Sequence, residues 1–271
     1  MKKILFIGGK GYLGSLIKKK IKDFKIIDPN KKYLNILNKT HLEKYIGRDL
    51  FCIINFTGQI GPNSKELNIL GNKNIIQILK KKKITPRLIF FSTTLINAFK
   101  KKKFEKIKDN GLNSIYANSK IKAENFLLKN HENTTILRIS NVYDNKFKKN
   151  GIFKNILNSI KNNSKLNISN IRTYRNYINI NDLIGHINSL LKNLDKIEKN
   201  KIISIVNENF NIRQIIKLFE KKYNVAINIK DYKKNLKENY SQKIFLKSLK
   251  KTGYNNKFNI AKTIKNYNDK K

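Results

Sequence analysis

A tyrosine and a lysine stand four residues apart in the stretch YANSKIKAE, as Tyr116 and Lys120. An ordinary phenol has a pKa of about 10 and is a poor base at neutral pH, but a neighbouring ammonium favours the phenolate. On a helix this spacing puts both side chains on one face, where they could carry general acid–base chemistry. A second pair, Tyr267 and Lys271, has the same spacing, and chance alone predicts about two such pairs in this lysine-rich chain. The assignment therefore depends on the surroundings of each pair.

Glycines cluster directly after the first apolar run, because four of the 12 glycines fall within residues 8–14. Gly8, Gly11 and Gly14 are three residues apart, and the register that starts at Gly9 also fits the dinucleotide fingerprint. In that fingerprint a strand ends in a tight turn, and a helix begins with free N–H groups that bind a pyrophosphate. The segment therefore predicts a phosphate-binding loop for NAD or NADP.

An acidic residue, Asp28, follows Gly8 by twenty residues, at the end of the second predicted strand. A carboxylate at that place accepts hydrogen bonds from the adenosine ribose hydroxyls. Its negative charge disfavours a 2′-phosphate, so the sequence favours NAD over NADP. Lys10 and Lys31 would partly offset this charge.

The elements that must position these residues alternate along the first two-thirds of the chain. Short β-rich runs predict strands at 4–7, 25–28, 50–56, 87–92, 135–139 and 202–206. Amphipathic, lysine-rich segments predict helices near 12–22, 64–82, 114–130, 150–162, 181–194 and 211–222. The strand runs lack a clean alternation of apolar and polar residues, which is typical of a parallel sheet covered on both faces. The prediction is an α/β fold with a Rossmann-type, doubly wound parallel sheet.

The regular alternation loosens after about residue 145, which suggests a second, smaller domain. Residues 1–145 are predicted to form an NAD(P)-binding Rossmann domain, to which the chain returns around 181–206. Residues 146–180 and 207–271 are predicted to form a small C-terminal α/β cap that binds the substrate.

The formal net charge of +41 invites a nucleic-acid interpretation. Lysine is spread over helices and loops alike, however, whereas arginine, the better bidentate phosphate ligand, is scarce. We therefore expect a solvated basic surface that speeds encounter with anionic small substrates, without a specific nucleic-acid site. The single cysteine, Cys52, excludes an internal disulfide and fits a reducing cytoplasm. No apolar run is long enough for a transmembrane helix, and the three histidines show no metal-ligand spacing.

Eight motifs occur in a fixed order along nearly the whole chain: IGGKGYLG, DLFCIINFTG, LNILGNKNIIQ, RLIFFSTT, YANSKIKAE, ILRISNVYD, RTYRNYININDLI and FLKSLKKTGYNNKFNI. Together they resemble the extended short-chain dehydrogenase/reductases of the NAD-dependent epimerase/dehydratase family, which modify nucleotide sugars. Each motif is weak or moderate alone, and their joint order carries the resemblance. It implies that Tyr116 and Lys120 form the active site, whereas Tyr267 and Lys271 are a chance pair.

The resemblance also implies roles for individual residues. Tyr116 would be the general acid/base at a sugar carbonyl or hydroxyl, and Lys120 would supply charge and hold the nicotinamide ribose. Thr93 would hydrogen-bond the same substrate oxygen, with Thr94 as the alternative. Cofactor contacts are implied for Gly8, Gly11, Tyr12, Leu13, Gly14, Asp28, Thr57 and Lys120.

Substrate contacts are implied for Thr94, Asn141 and Arg175. A planar guanidinium suits a diphosphate better than the point charge of a lysine, and Arg172 is an alternative to Arg175. Asp182 is expected to cap the helix that follows it rather than to contact the substrate.

Two departures from the family narrow the reaction. The family's dehydratases carry an Asp-Glu pair directly after the catalytic Thr, where this chain has Thr94 and Leu95. Members that epimerise next to the ketone use a Cys and a His near the substrate, whereas Cys52 belongs to a predicted strand. Two reactions remain. One is that of a C4 epimerase that retains NAD, and the other is that of a 4-keto-sugar reductase that exchanges NAD(P)H.

The family also implies a homodimer, a cytoplasmic location and a role in polysaccharide biosynthesis. The alternative hypothesis is a non-catalytic dinucleotide-sensing or RNA-associated protein on the same fold, because a fold alone does not decide function.

Overall fold

The computed structural model describes residues 1–58, 60–61, 63–99, 112–147, 151–168, 171–172, 174–231 and 252–268. The chain divides into two compact units. One unit consists of Met1–Ile139 with Leu191–Ser204, and the other of Ser140–Leu190 with Ile205–Lys271.

The strands of the described residues are β1 (Lys3–Ile7), β2 (Lys25–Ile27), β3 (Leu50–Asn55), β4 (Arg87–Thr93), β5 (Thr134–Ile139), β6 (Asn141–Tyr143), β7 (Leu166–Ile168), β8 (Tyr174–Asn179), β9 (Lys201–Ile205), β10 (Glu208–Asn211) and β11 (Ile229–Asp231). The α-helices are α1 (Tyr12–Lys18), α2 (Lys39–Tyr45), α3 (Gly71–Lys82), α4 (Ile96–Phe99), α5 (Leu112–Asn130), α6 (Ile152–Lys161), α7 (Ile180–Lys192), α8 (Ile212–Tyr223) and α9 (Ile260–Asn266). A π-helical turn, Glu66–Leu70, leads into α3, and a 3-10 turn covers Leu194–Lys196.

The first unit is built on a six-stranded sheet in the order β2-β1-β3-β4-β5-β9. The pairs β1/β2, β1/β3, β3/β4 and β4/β5 are all parallel. β1 and β3 are almost entirely buried apolar residues, and β4 is almost entirely buried with an apolar centre at 88–91, which explains why their sequences do not alternate. The strand order reverses between β1 and β3, and open α/β sheets bind ligands at the carboxyl ends of strands at such a switch point.

The predicted doubly wound sheet is confirmed, and each of the six predicted strands forms within about one residue of its predicted bounds. The helix predicted at 12–22 ends earlier, at Lys18, in a run of lysines whose positive charge stabilises a helix C-terminus. The helix predicted at 64–82 begins as the π-helical turn. The short helices α2 and α4 are not predicted, because one or two helical turns carry too little periodicity.

The second unit holds two small sheets. β8 lies between β10, to which it is antiparallel, and β6, to which it is parallel, while β7 and β11 form a parallel pair. The core of this unit is aromatic and aliphatic, and it includes the rings of Phe147, Phe153 and Phe219. Its C-terminal segment, residues 252–268, ends in α9 and contributes Ile260 and Ile264 to that core.

Candidate active site

A glycine-rich turn joins β1 to α1 and brings backbone segments into close contact. Gly8 has a φ of +75°, a left-handed conformation that favours glycine, and its carbonyl accepts from the N–H of Gly11 at 3.1 Å. A Cβ on Gly14 would lie 2.5 Å from the Cα and O atoms of Gly9, so α1 packs directly on the turn. The N-cap of α1 is Gly11, which has no side chain that could itself cap the helix in place of an anion.

Lys120 is 1% exposed, and its ammonium lies against backbone carbonyls. Nζ donates to the carbonyl of Thr57 at 2.9 Å and to that of Phe91 at 2.7 Å, and it lies 4.3 Å from the ring centroid of Phe90. Thr57 follows β3, and a Cβ on Gly8 would lie 3.1 Å from its Cγ2 atom. The glycine turn, the end of β3 and the ammonium on α5 therefore form one continuous site.

Tyr116 precedes Lys120 by one turn of α5, and Nζ lies 5.8 Å from the centroid of the phenol ring. Burial raises the pKa of Tyr116 to about 12. The prediction that the neighbouring ammonium lowers this pKa is therefore wrong for the protein groups alone. Burial of the phenol is the cause. Burial also lowers the pKa of Lys120 to about 7, although the charge of Glu124 opposes that shift. An amine with that pKa carries only part of its positive charge at neutral pH.

A chain of buried polar side chains runs along the backbone of Tyr116. Asn68 Nδ2 donates to Ser119 Oγ at 2.9 Å, and Ser119 Oγ donates to the carbonyl of Tyr116 at 2.7 Å. Asn72 Nδ2 donates to the carbonyl of Asn68 at 2.6 Å, and Asn55 Nδ2 donates to Asn72 Oδ1 at 2.9 Å. Sequence analysis does not identify Ser119, Asn55 or Asn72 as site residues. The sequence pattern that could have identified them is a polar residue on an otherwise apolar face of a strand or helix.

Two threonines lie at the carboxyl end of β4. Thr93 is partly exposed, and its Oγ1 accepts from the N–H of Leu95 at 3.1 Å, which leaves the hydroxyl able to donate. Thr94 is only 2% exposed, and its N–H donates to the carbonyl of Ile139. Thr93 is thus the better placed of the two for a substrate oxygen, and a substrate contact by Thr94 stays a prediction.

The carboxylate of Asp28 directly follows β2 and is held by two lysines. Oδ2 lies 3.4 Å from Nζ of Lys10 and 3.2 Å from Nζ of Lys18, which belongs to the last turn of α1. Lys10 is one of the two expected counter-charges. The other, Lys31, makes no ion pair with Asp28 in the part of the chain that the structure describes, and Lys18 takes that place. Sequence spacing does not reveal Lys18, because the contact depends on how α1 packs beside β2.

Asn141 and Arg175 both belong to the second unit. Asn141 Nδ2 donates to the carbonyl of Asn176 at 3.1 Å, so this amide braces β6 against β8. Arg175 is partly buried on β8, where it pairs in register with Phe210 of β10, while Arg172 is exposed. The substrate roles of Asn141 and Arg175 stay predictions.

Asp182 does not cap α7, which corrects the expectation from the sequence. Its fully buried carboxylate accepts from the backbone N–H groups of Lys257 and Phe258 at 2.9 and 3.0 Å. The N–H of Asn181, in the first turn of α7, donates instead to Asn179 Oδ1 at 2.9 Å. A capping role and a tethering role look alike in sequence, because both place an acid near the start of a helix. Asp182 is a tether for the C-terminal segment.

The second tyrosine–lysine pair cannot be compared directly, because Lys271 lies outside the described residues. The ring of Tyr267 lies 5.2 Å from that of Phe147 and packs on the core of the second unit.

Cys52 is fully buried in β3, and burial raises the pKa of its thiol. In the described ranges no group of three or more His, Cys, Asp or Glu side chains could hold a metal ion. Nor does any helix in those ranges have the length and apolar character needed to cross a membrane.

Residues 1–176 match the family model described as the RmlD substrate binding domain. No curated protein matches the sequence significantly.

Solved structures share the fold at low sequence identity. RMD from Pseudomonas aeruginosa, complexed with NADPH, has a TM-score of 0.77 at 16% identity, with 98% of this chain and 97% of that chain covered. A dTDP-4-dehydrorhamnose reductase from Bacillus anthracis, in complex with NADP, also has a TM-score of 0.77 at 16% identity, with 98% and 99% covered. A mutant UDP-glucuronic acid 4-epimerase from Bacillus cereus, in complex with NAD and a fluorinated UDP-sugar, has a TM-score of 0.76 at 17% identity, with 98% and 97% covered. These similarities establish the same fold over nearly the whole chain.

Proposed function

Because the chain belongs to the family of the RmlD substrate binding domain, we propose that it is an NAD(P)-dependent enzyme acting on nucleotide-diphosphate sugars. The reaction is a hydride transfer at a sugar carbon, in a 4-keto-sugar reductase or a C4 epimerase. The observation that carries the proposal is the buried ammonium of Lys120, bound to the carbonyls of Thr57 and Phe91 beside the glycine turn. Solved structures of the same fold are described as a reductase or an epimerase, and as complexes with NADPH, NADP or NAD, which supports this cofactor class.

The glycine turn fits the pyrophosphate of a nicotinamide dinucleotide. It follows β1, and Thr57 follows β3, so both lie at the switch point of the sheet. The N-cap of α1 is Gly11, which makes no side-chain capping bond. We assign the pyrophosphate to Gly8, Gly11, Tyr12, Leu13 and Gly14.

The surroundings of Lys120 fit the nicotinamide ribose. Asn68 Oδ1 is buried and has no hydrogen-bond partner in the described chain. A Cβ on Gly58 would lie 2.3 Å from that oxygen and 2.8 Å from Nζ of Lys120, so the acceptor and the ammonium border the same small space. A ribose hydroxyl can donate a hydrogen bond to Asn68 Oδ1 and accept one from Nζ of Lys120.

The catalytic proposal assigns one task to each side chain. The nicotinamide supplies or accepts the hydride when the cofactor is bound. Tyr116 donates a proton to the sugar oxygen during reduction and removes it during oxidation. A pKa of about 12 keeps the phenol protonated and ready as the acid, whereas its action as a base depends on the positive charge of Lys120. Thr93 donates a hydrogen bond to the same sugar oxygen.

Two other reactions of the family lack their residues here. Elimination needs an acid and a base at the positions of Thr94 and Leu95, and Thr94 is a buried hydroxyl. Epimerisation next to the ketone needs an accessible thiol, whereas Cys52 is fully buried and its raised pKa keeps it protonated.

The cofactor cycle provides the first test. Purified protein is denatured, and the released nicotinamide nucleotide is identified by chromatography against standards. One equivalent of NAD released only on denaturation supports an epimerase with a retained cofactor. An absence of bound nucleotide, with binding of added NADH or NADPH, supports a reductase. Failure to bind any nicotinamide nucleotide contradicts the proposal.

The second candidate is a dinucleotide-sensing or RNA-associated protein without catalysis, which the net charge of +41 favours weakly. An RNA affinity that falls with salt and disappears when a dinucleotide binds would support it. A homodimer through the helices that flank the sheet and a cytoplasmic location both stay predictions. Sedimentation equilibrium tests the homodimer, and cell fractionation tests the location.

A further inference from the structure

The carboxylate of Asp28 is closed to a ribose and is covered by ammonium groups. Its side chain is 1% exposed, while those of Lys10 and Lys18 are 52% and 40% exposed. Both ammonium groups contact Oδ2. Oδ1 is buried and has no hydrogen-bond partner among the described residues. It faces Gly9 so closely that a Cβ there would lie 2.4 Å away.

This arrangement reverses the electrostatics expected from the sequence. A ribose read by an acid needs carboxylate oxygens that its 2′- and 3′-hydroxyls can reach. Here one oxygen is packed against backbone and the other is shared by two cations. Two ammonium groups and one carboxylate leave a local charge of +1, and the ammonium groups are the part exposed to water. Such a surface attracts a phosphate, whereas it offers the two ribose hydroxyls no carboxylate oxygen that they can readily reach.

We propose that Lys10 and Lys18 form a subsite for the 2′-phosphate of NADP(H), and that the chain binds NADP(H) in preference to NAD(H). In this role Asp28 is a positioning residue, which holds the two lysines in place beside the glycine turn. The inference rests on the proposed function, because it assumes that a dinucleotide lies on that turn.

Calorimetric titration of the purified chain with NADP⁺ and with NAD⁺ tests the proposal without any assay of activity. We expect NADP⁺ to bind at least about tenfold more tightly, as expected for charge-assisted bonds to one additional phosphate. Lys10→Gln and Lys18→Gln should each weaken NADP⁺ binding about tenfold and change NAD⁺ binding less than about twofold. Raising the salt concentration should weaken NADP⁺ binding more steeply than NAD⁺ binding.

The matched control is Lys22→Gln, which removes one exposed lysine close behind α1 and changes the net charge equally. It should leave both affinities unchanged, and thermal unfolding of all three variants should match that of the wild type. Equal affinities for the two nucleotides, or tighter binding of NAD⁺, would overturn the inference and leave the proposed function intact. A Lys18→Gln variant that binds both nucleotides more weakly by the same factor would also overturn the inference and leave the proposed function intact. Binding of neither nucleotide would overturn the inference together with the proposed function.

Discussion

Glu124 and Arg138 form an ion pair one helical turn beyond Lys120. Arg138 Nε donates to both carboxylate oxygens at 3.0 and 3.2 Å, and Nη2 donates to Oε2. Ser92 Oγ donates to Oε1 from β4, and Arg138 Nη1 donates to Asn97 Oδ1 at 3.3 Å. Glu124 itself is 1% exposed. The pair therefore connects α5 to β4, β5 and α4 next to the lysine of the candidate site.

Glu124→Gln should lower the free energy of unfolding by about 3 kcal/mol, because it leaves the guanidinium of Arg138 without its counter-charge. It should also lower the pKa of Lys120 further, since the charge of Glu124 now opposes the effect of burial. We therefore expect a loss of kcat at pH 7 that is partly recovered at lower pH, where the lysine is charged again. Urea denaturation and a pH profile of kcat measure the two effects.

The control for this variant is Glu132→Gln, whose side chain is 69% exposed. It should change the free energy of unfolding by less than about 0.5 kcal/mol and leave the pH profile in place. A Glu124→Gln variant that is less stable but keeps the wild-type profile would show that the ion pair acts on folding alone.

Tyr116→Phe should lower kcat by about 10²- to 10⁴-fold, because it removes the proposed acid/base and leaves the helix intact. The dissociation constant of the cofactor should change little, since Lys120 and the glycine turn are untouched. Tyr267→Phe is the matched control, because Tyr267 belongs to the second tyrosine–lysine pair and packs on the core of the other unit. Full activity in Tyr116→Phe would remove this residue from the mechanism.

The sequence predicts what local patterns determine and misses what packing determines. The glycine spacing and the apolar runs suffice for the turn, for six strands and for the position of α5. The pairing of Lys18 with Asp28 and the tether at Asp182 join segments whose proximity depends on the folded arrangement. The prediction of a lowered pKa for Tyr116 is wrong for the same reason. Burial of the phenol outweighs the neighbouring charge, and the sequence spacing indicates only the charge.

Arg175→Ala should raise the KM for a nucleotide-diphosphate sugar and leave the dissociation constant of the cofactor unchanged. The reason is that a bidentate guanidinium binds a diphosphate with geometry that no other side chain reproduces. Arg172→Ala is the informative comparison, because Arg172 is exposed and only three residues away. Steady-state kinetics with varied sugar nucleotide measures both. If Arg172→Ala raises KM and Arg175→Ala does not, the assignment moves to Arg172.

Glu208 holds the C-terminal segment of the second unit. Its carboxylate accepts from the N–H of Ile260 at 3.2 and 2.9 Å and from the hydroxyl of Tyr143 at 3.4 Å. Burial raises the pKa of Glu208 to about 7 and the charge of Asp182 adds to this, although the bond from Ile260 opposes it. The folded chain therefore binds this proton more tightly than the unfolded chain, in which the pKa is 4.5.

A raised carboxyl pKa contributes stability that is complete below pH 4.5 and is lost as the pH rises through about 7. We expect the free energy of unfolding of the wild type, minus that of Glu208→Gln, to fall between about pH 5 and pH 8. The difference is the quantity to measure, because the lowered pKa values of His131, His186 and Lys120 make the free energy of unfolding rise with pH. In the wild type alone this rise would offset the fall that Glu208 causes. Urea denaturation across this range measures the difference, and Glu66→Gln, which changes an exposed side chain, is the control for the loss of one carboxylate. A flat difference for Glu208→Gln would mean that Glu208 titrates alike in the folded and unfolded chains.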